Sequence, residues 1–376
     1  MITNLNKIVL DYNLQGSRLF SKFFINLHTT ENFDGIADII ILHREGMQDT
    51  FEDVKKYSND NTIFLVDITT ESGRIDIFLN YFKTLTDSLP NKFYLFADTD
   101  ITNYTKNIKI KYEIISGFEL IFYAFLTYES DSFITVNKLN NVEYQNGFMS
   151  LNGNLRVQRI LLLLEFIKNG VDTSNCTFLF YTNTPEGYRF NLEEYHTMIT
   201  ELLNTNIITK MDYHILNKLK LPIYIDYDSS EPISIKNTIT DMYTTPINFV
   251  TENVTGLVGG DESLYGLITF TEKTLKPLLA YQIPIIFGLY GLNDELRKLG
   301  FDLFDDVINH KIYENEKDAR IRMKLMVTEL QRVLELDNLE FKNKNAHRFI
   351  NNHVRCYELA NKGFDILNNF HKTTLL

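Results

Sequence analysis

Four short, nearly continuous apolar runs in the first third of the chain constrain its fold most. Lys7 to Leu10 runs into Asp11, Ala37 to Leu42 (A-D-I-I-I-L) into His43-Arg44-Glu45, Thr62 to Val66 into Asp67, and Phe93 to Ala97 into Asp98. Runs that are apolar at consecutive positions, rather than alternately, suit strands covered on both faces, as in a parallel sheet between layers of helices. The stretches between them, such as Ser17 to Leu27 and Ile75 to Leu85, have helical length. Strand alternating with helix predicts a doubly wound α/β domain. Ligands of such sheets bind beyond the carboxyl ends of the strands, where Asp11, Glu45, Asp67 and Asp98 fall.

The remainder follows a similar plan. Asn137 to Gly153 is rich in Asn and Gly and reads as a linker or long loop. Arg156 to Lys168 is a helical pattern with Gly170 at the place of a C-terminal cap. Cys176 to Tyr181, Pro222 to Tyr227, Ile247 to Val250 and Ile283 to Phe287 read as strands. Thr271 to Ala280 and Asp294 to Leu299 read as helices, the second stopped by Gly300. From Glu316 the pattern is helical, and Ala346 to Phe370 is a long terminal helix with Gly363 as a candidate point of interruption.

A length of 376 residues suits two domains, and 37 basic against 49 acidic residues give a net charge of -12. That field opposes a general phosphate-backbone binder, although it leaves room for a locally basic site. Cys176 and Cys356 make no disulfide framework and match no metal spacing. Met1 to Asn13 lacks the apolar segment of a signal peptide, and the most apolar stretch, Pro277 to Leu292, is broken by Gln282, Pro284 and two glycines. The expectation is a soluble, cytoplasmic chain with no membrane span.

The segment richest in chemistry runs I-N-F-V-T-E-N-V-T-G from Ile247, through a loop with Gly259 and Gly260, to F-T-E-K-T-L-K-P-L-L-A-Y-Q-I-P-I-I-F-G ending at Gly288. A strand ending at Val250 delivers Glu252 and Asn253 to the rim of a sheet. A helix beginning near Thr271 then offers its amides, with Glu272 and Lys273 in the first turn. Such amides suit an anion, an ammonium group adds a point charge for phosphate, and a carboxylate accepts from the two hydroxyls of a ribose. Alone, Glu-Lys at a helix start is an ordinary solvated cap. The Glu-Asn pair on the preceding strand end is what points to a ligand.

This segment resembles the donor-binding motif of the α1,3-fucosyltransferases and related GT-B glycosyltransferases, on Phe249, Glu252, Asn253, Thr271, Glu272, Lys273, Ala280, Pro284 and Gly288. The close resemblance covers Ile247 to Gly288. It departs at Lys276-Pro277, which replaces a Trp-Asn segment, and at Tyr281-Gln282, which occupies the place of a common Gly. The continuation G-L-N-D-E-L-R-K-L-G-F-D-L-F looks more like glycosyltransferase-like proteins of bacteriophages and other large viruses. Upstream, F-M-S-L-N-G-N-L-R-V-Q-R resembles the opening of the donor domain in the same family, and places Arg156 and Arg159 three apart at a helix start.

The resemblance implies an α/β fold of two Rossmann-like doubly wound domains facing a central cleft. Residues 1–140 would form the acceptor side, 141–345 the donor domain, and 346–376 a C-terminal helix crossing back to the first domain. It implies that Glu272 binds the nucleotide ribose, Lys273 binds the donor phosphate, and Glu252 and Asn253 line the same pocket. Arg156 and Arg159 would neutralise the diphosphate leaving group. The implied activity is transfer of a sugar from a nucleotide-sugar donor to a hydroxyl of a glycan or of DNA, with no metal and no other cofactor. The alternative is a non-catalytic virion or interaction protein that keeps the fold.

The acceptor hydroxyl must lose a proton as it attacks, and Glu45, Asp67 and Asp98 are the candidate bases. Glu45 is favoured because His43-Arg44-Glu45 gathers three polar groups at one strand end; each acid also reads as a loop cap. The triplets Asp98-Thr99-Asp100 and Asp226-Tyr227-Asp228 have the form of a cation clamp on a diphosphate, and equally of loop caps. Asp305-Asp306 read as caps. From Phe341 onward, Lys342, Lys344, Arg348, Arg355, Lys362 and Lys372 make the one basic stretch, either a solvated helix or a phosphate-contacting patch.

Overall fold

The apolar runs of the first third form strands because each can bury both faces. In a computed structural model they are β1 (Val9–Asp11), β3 (Ile39–His43), β4 (Ile63–Asp67) and β5 (Lys92–Ala97). The structure describes residues 8–11, 19–20, 27–29, 33–43, 54–68, 89, 91–97, 112–128, 145–174, 176–184, 187–221, 223, 244–252, 268 and 271–375. Within these the chain is α/β and divides into two compact units, Met1–Asp131 with Cys356–Leu376, and Ser132–Arg355.

The first unit carries a sheet in the order β2-β1-β3-β4-β5-β6, whose described pairings are all parallel. Strands β2 (Leu27–Thr29) and β6 (Tyr112–Ser116) carry too few apolar residues to stand out in the sequence. Leu27, expected to end a helix, opens β2 instead; Ile75 to Leu85 lies outside the described residues. Helix α1 (Phe118–Tyr128) is apolar almost all round, and its residues Leu120 to Leu126 are buried. Leu367 and Phe370, near the end of the long terminal helix, belong to the core of this sheet. The Phe370 ring meets Tyr94 edge-on at 4.8 Å and Phe96 at 5.1 Å.

The second unit carries β7 (Phe148–Asn154), β8 (Cys176–Thr184), β9 (Gly187–Phe190), β10 (Ile247–Thr251) and β11 (Ile283–Phe287) in the order β11-β10-β7-β8-β9. All described pairs are parallel except β8 with β9. Its helices are α2 (Val157–Lys168), α3 (Leu192–Asn204), α4 (Lys210–Asn217), α5 (Glu272–Leu279), α6 (Leu292–Lys298), α7 (Lys311–Glu314), α8 (Ala319–Leu334) and α9 (Asn338–Lys344). Helix α10 (Ala346–Phe370) gives its residues up to Arg355 to this unit and the rest to the first.

Two expectations are corrected here. The end of the Asn- and Gly-rich segment is no loop: Phe148–Asn154 is an interior strand of the second sheet, flanked by β10 and β8. Asn and Gly are poor strand formers, but burial of Phe148 and Met149 and pairing on both sides outweigh that preference. Gly363 does not interrupt α10, which runs unbroken through it. It is the point of closest approach to α1, where a Cβ would lie 2.3 Å from the Glu119 carbonyl oxygen and 2.8 Å from the Tyr123 Cβ. Of the expected strand at Pro222 to Tyr227, only Ile223 is described, bridged to Phe178. Among the described residues no helix is long and apolar enough to cross a membrane.

Candidate functional site

In the second sheet the chain passes from β7 through α2 to β8 on one side, then places β10 on the other side of β7. The winding reverses between β7 and β10, and the carboxyl ends of two such strands are where open α/β sheets bind ligands. The strands pair through Ile247↔Phe148 and Asn248↔Met149. Counted onward along both strands, Thr251 comes level with Asn152. Both are buried, at 2% and 0% exposure, and Thr251 Oγ1 and Asn152 Oδ1 have no hydrogen-bond partner among the described residues.

Beyond β7, Arg156 is the extended N-cap of α2 (φ -152°, ψ 146°), with its side chain exposed and not capping. Arg159 is buried and donates from Nη1 to the Asn154 carbonyl at 2.8 Å, bracing the end of β7. The two arginines, one turn apart, therefore occupy different environments. Gln158 reaches across to β10, its Nε2 lying 3.5 Å from the Glu252 carbonyl.

Beyond β10, Glu252 is 1% exposed, and its backbone N–H donates to the Phe287 carbonyl of β11 at 2.9 Å. Its Oε1 accepts from the Thr271 amide (2.9 Å) and the Thr274 hydroxyl (2.6 Å), and its Oε2 from the Thr271 hydroxyl (2.8 Å). The Thr271 oxygen in turn caps α5, accepting from the Lys273 amide at 3.3 Å. This carboxylate lies against the positive end of the α5 dipole and fixes the first turn of that helix. An anion arriving there meets amides that already have partners, so its charge must be met chiefly by side chains.

Those side chains are present. Glu272 and Lys273 follow the cap, partly exposed at 20% and 23%, with Lys273 Nζ 2.7 Å from Glu272 Oε1. Gly288, at the carboxyl end of β11, lets α6 approach: a Cβ there would lie 2.5 Å from Leu292 Cδ2 and 3.6 Å from Glu252 Cγ. The Gly288 carbonyl accepts from Arg322 Nη2 at 2.8 Å.

The structure thus gathers Arg156, Arg159, Glu252, Glu272 and Lys273 about the reversal point of one sheet. Asp67 belongs to the first unit, buried at the carboxyl end of β4 in register with His43 and Phe96. Glu45, Asp98, Asn253 and both Asp-x-Asp triplets lie outside the described residues. Asp305 and Asp306 are ion-pair partners rather than caps. Arg297 holds the Asp305 carboxyl below its usual range through a 2.6 Å contact, and Arg348 does the same to Asp306 at 2.8 Å. Among the described residues no group of three or more His, Cys, Asp and Glu stands together as a metal ion requires.

The basic stretch is divided: Lys342 is buried and Arg348 and Arg355 are partly buried, whereas Lys344, Lys362 and Lys372 are exposed. Lys342 donates to the Tyr281 carbonyl, Lys344 pairs with Glu340 (2.5 Å), Arg348 with Asp302 (2.5 Å) and Asp306, and Arg355 Nε donates to the Leu299 carbonyl at 2.6 Å. Thr274 and Gln158 are participants that the sequence reading passes over, and Thr271 enters it only as a motif residue at the helix start. The signal available was Thr-x-x-Thr around Glu272-Lys273, which provides two hydroxyls on one helix face. No family model, curated protein or solved structure matches the chain.

Proposed function

We propose that the chain is a GT-B glycosyltransferase that moves a sugar from a nucleotide-sugar donor to an acceptor hydroxyl. The observation that carries this reading is the join at the reversal point of the second sheet: strand-end Glu252 orders the helix start that presents Glu272 and Lys273, with Arg156 at the neighbouring helix start. In this reading Glu272 accepts from the ribose hydroxyls, while Lys273 and Arg156 meet the diphosphate charge that grows as the glycosidic bond breaks. Transfer proceeds without a metal ion, those cations taking its place, and the candidate bases for the acceptor proton are Glu45, Asp67 and Asp98. The acceptor is a hydroxyl of a glycan or of DNA: of the C-terminal basic residues Lys342, Arg348 and Arg355 are engaged within the protein, while Lys344, Lys362 and Lys372 are exposed.

The test is a thermal-shift panel of GDP, UDP, ADP and CMP with and without EDTA, followed by donor turnover. Lys273→Ala and Glu272→Ala are expected to abolish transfer while leaving the melting temperature within a few degrees, since both are surface changes of about 0.5 kcal/mol or less. Full turnover in either variant removes the donor-site assignment.

A further inference from the structure

Helix α5 is gripped at its rear as well as at its front. Its eight residues span about 12 Å. That is too short for a helix to sustain itself, and Pro277 near its centre has no N–H to offer the Lys273 carbonyl. Its buried face, with Thr274, Leu275, Leu278 and Leu279, packs it against the sheet, and the contacts at its two ends set how its first turn is presented.

At the rear the chain turns through Ala280 and Tyr281, and the Gln282 amide returns to the Pro277 carbonyl at 2.9 Å, a Schellman closure. Tyr281 sits at φ 55°, the left-handed position that usually falls to Gly. Tyr281 belongs to the Tyr281-Gln282 pair that occupies the place of a common Gly in the resembled motif.

Two residues from α9 and α10 hold this strained turn. Lys342 donates from Nζ to the Tyr281 carbonyl and lies 4.8 Å from the centre of the Phe349 ring. His353 donates from Nδ1 to the Leu279 carbonyl at 2.9 Å, and its ring stacks on that of Tyr281, with centroids 4.9 Å apart and planes 11° from parallel. All three residues are buried. Burial lowers the proton affinity of both bases, but each donates to its carbonyl in the neutral form as well. The Lys342 amine meets a carbonyl of the helix's C-terminal turn that a methionine could not meet.

We propose that Lys342 and His353 are positioning residues for the nucleotide-sugar donor, fixing the Leu279 and Tyr281 carbonyls and so setting where the other end of α5 presents Glu272 and Lys273. This rests on the reading of that front end as the donor site. A short rod held at both ends carries a displacement at its rear to its front, where about 1 Å decides whether a ligand is met.

The experiment measures binding of GDP, UDP, ADP and CMP by calorimetry to the full chain and to Lys342→Met, His353→Leu and His353→Asn, with melting temperatures alongside. His353→Asn keeps an N–H near the place of Nδ1. The nucleotide that binds the wild type is expected to bind Lys342→Met and His353→Leu about tenfold more weakly, and His353→Asn within about twofold of wild type. Wild-type affinity in folded Lys342→Met and His353→Leu overturns the proposal, even if both melt earlier, because that is what a purely structural role produces. If either fails to fold, Tyr281→Gly replaces it. Glycine is at ease at φ 55° and removes the ring from His353; weakened nucleotide binding supports the proposal and unchanged binding overturns it. A wild type that binds none of the four nucleotides overturns the donor reading itself, and the positioning roles with it.

Discussion

Strands β4 and β7 occupy comparable interior places in their parallel sheets yet are made of opposite material. Strand β4 is Ile-Phe-Leu-Val-Asp, apolar up to Asp67, whereas β7 is Phe-Met-Ser-Leu-Asn-Gly-Asn, with Ser150 and Asn152 as deeply buried as any leucine. Each apolar side chain of β4 stabilises the fold by about 25 cal/mol for every Å² it removes from water. Strand β7 must instead find partners for buried polar atoms. Asn152 Nδ2 finds Ser150 Oγ at 2.9 Å, but the other end of the amide finds none among the described residues, nor does the Thr251 hydroxyl level with it on β10. Stability accounts for β4 and does not account for β7. These groups stand at the reversal point of the sheet, the place where open α/β sheets bind ligands.

The strongest way to separate the two sheets is to break one of them. Gly363→Ala places a methyl group against the backbone of α1, with no flexible side chain to yield, and is expected to destabilise the first unit by about 3 kcal/mol. Hydrogen exchange should then quicken in β3, β4 and β5 while β7, β10 and β11 keep their protection. Equal loss in both sheets would show that the units do not respond separately.

A smaller effect concerns pH and the second unit alone. Burial brings Lys342 down to about 7 from its ordinary value of 10.5, so between these limits the unfolded chain holds a proton that the folded chain does not. Stability therefore rises as pH climbs through that window and is lost as pH falls back toward 7. Between pH 7.5 and 9 the gain should reach up to about 2 kcal/mol, read from urea midpoints, and Lys342→Met should remove it.

The smallest effect bears most directly on β7 and β10. Thr251→Val replaces a buried hydroxyl that has no partner among the described residues with a methyl group of similar size and should stabilise the chain by about 1 kcal/mol in urea unfolding while weakening nucleotide binding. A loss of stability would mean that the hydroxyl is satisfied, and the contrast between the sheets would lose half its support.

What could be read from the sequence follows the same division. Strands β3, β4, β5 and β11 lie within two residues of their apolar runs, and α10 spans Ala346 to Phe370 as its pattern predicts. Strand β7 was hidden because its polar residues imitate a loop, and β2 and β6 because they are short and mixed. At the site, the strand-end acid and the Glu-Lys helix start were visible because each is local. The bonds from Glu252 to Thr271 and Thr274 cross 19 and 22 residues, and the grip of Lys342 on Tyr281 crosses 61. No local spacing reports pairings of that kind. The glycine at 363 misled for a related reason: its meaning lies in what packs against it, and Glu119 is far away in the chain.

The division of α10 between the two units also bears on how the protein is made. Strands β1 to β6 leave the ribosome first, yet Leu367 and Phe370, which complete the core of their sheet, follow only after the whole second unit has been synthesised. During that interval Tyr94 and Phe96 lack their eventual cover, a state exposed to chaperones and to aggregation. The second unit is one contiguous stretch, so its chain is complete while the first still lacks its last helix.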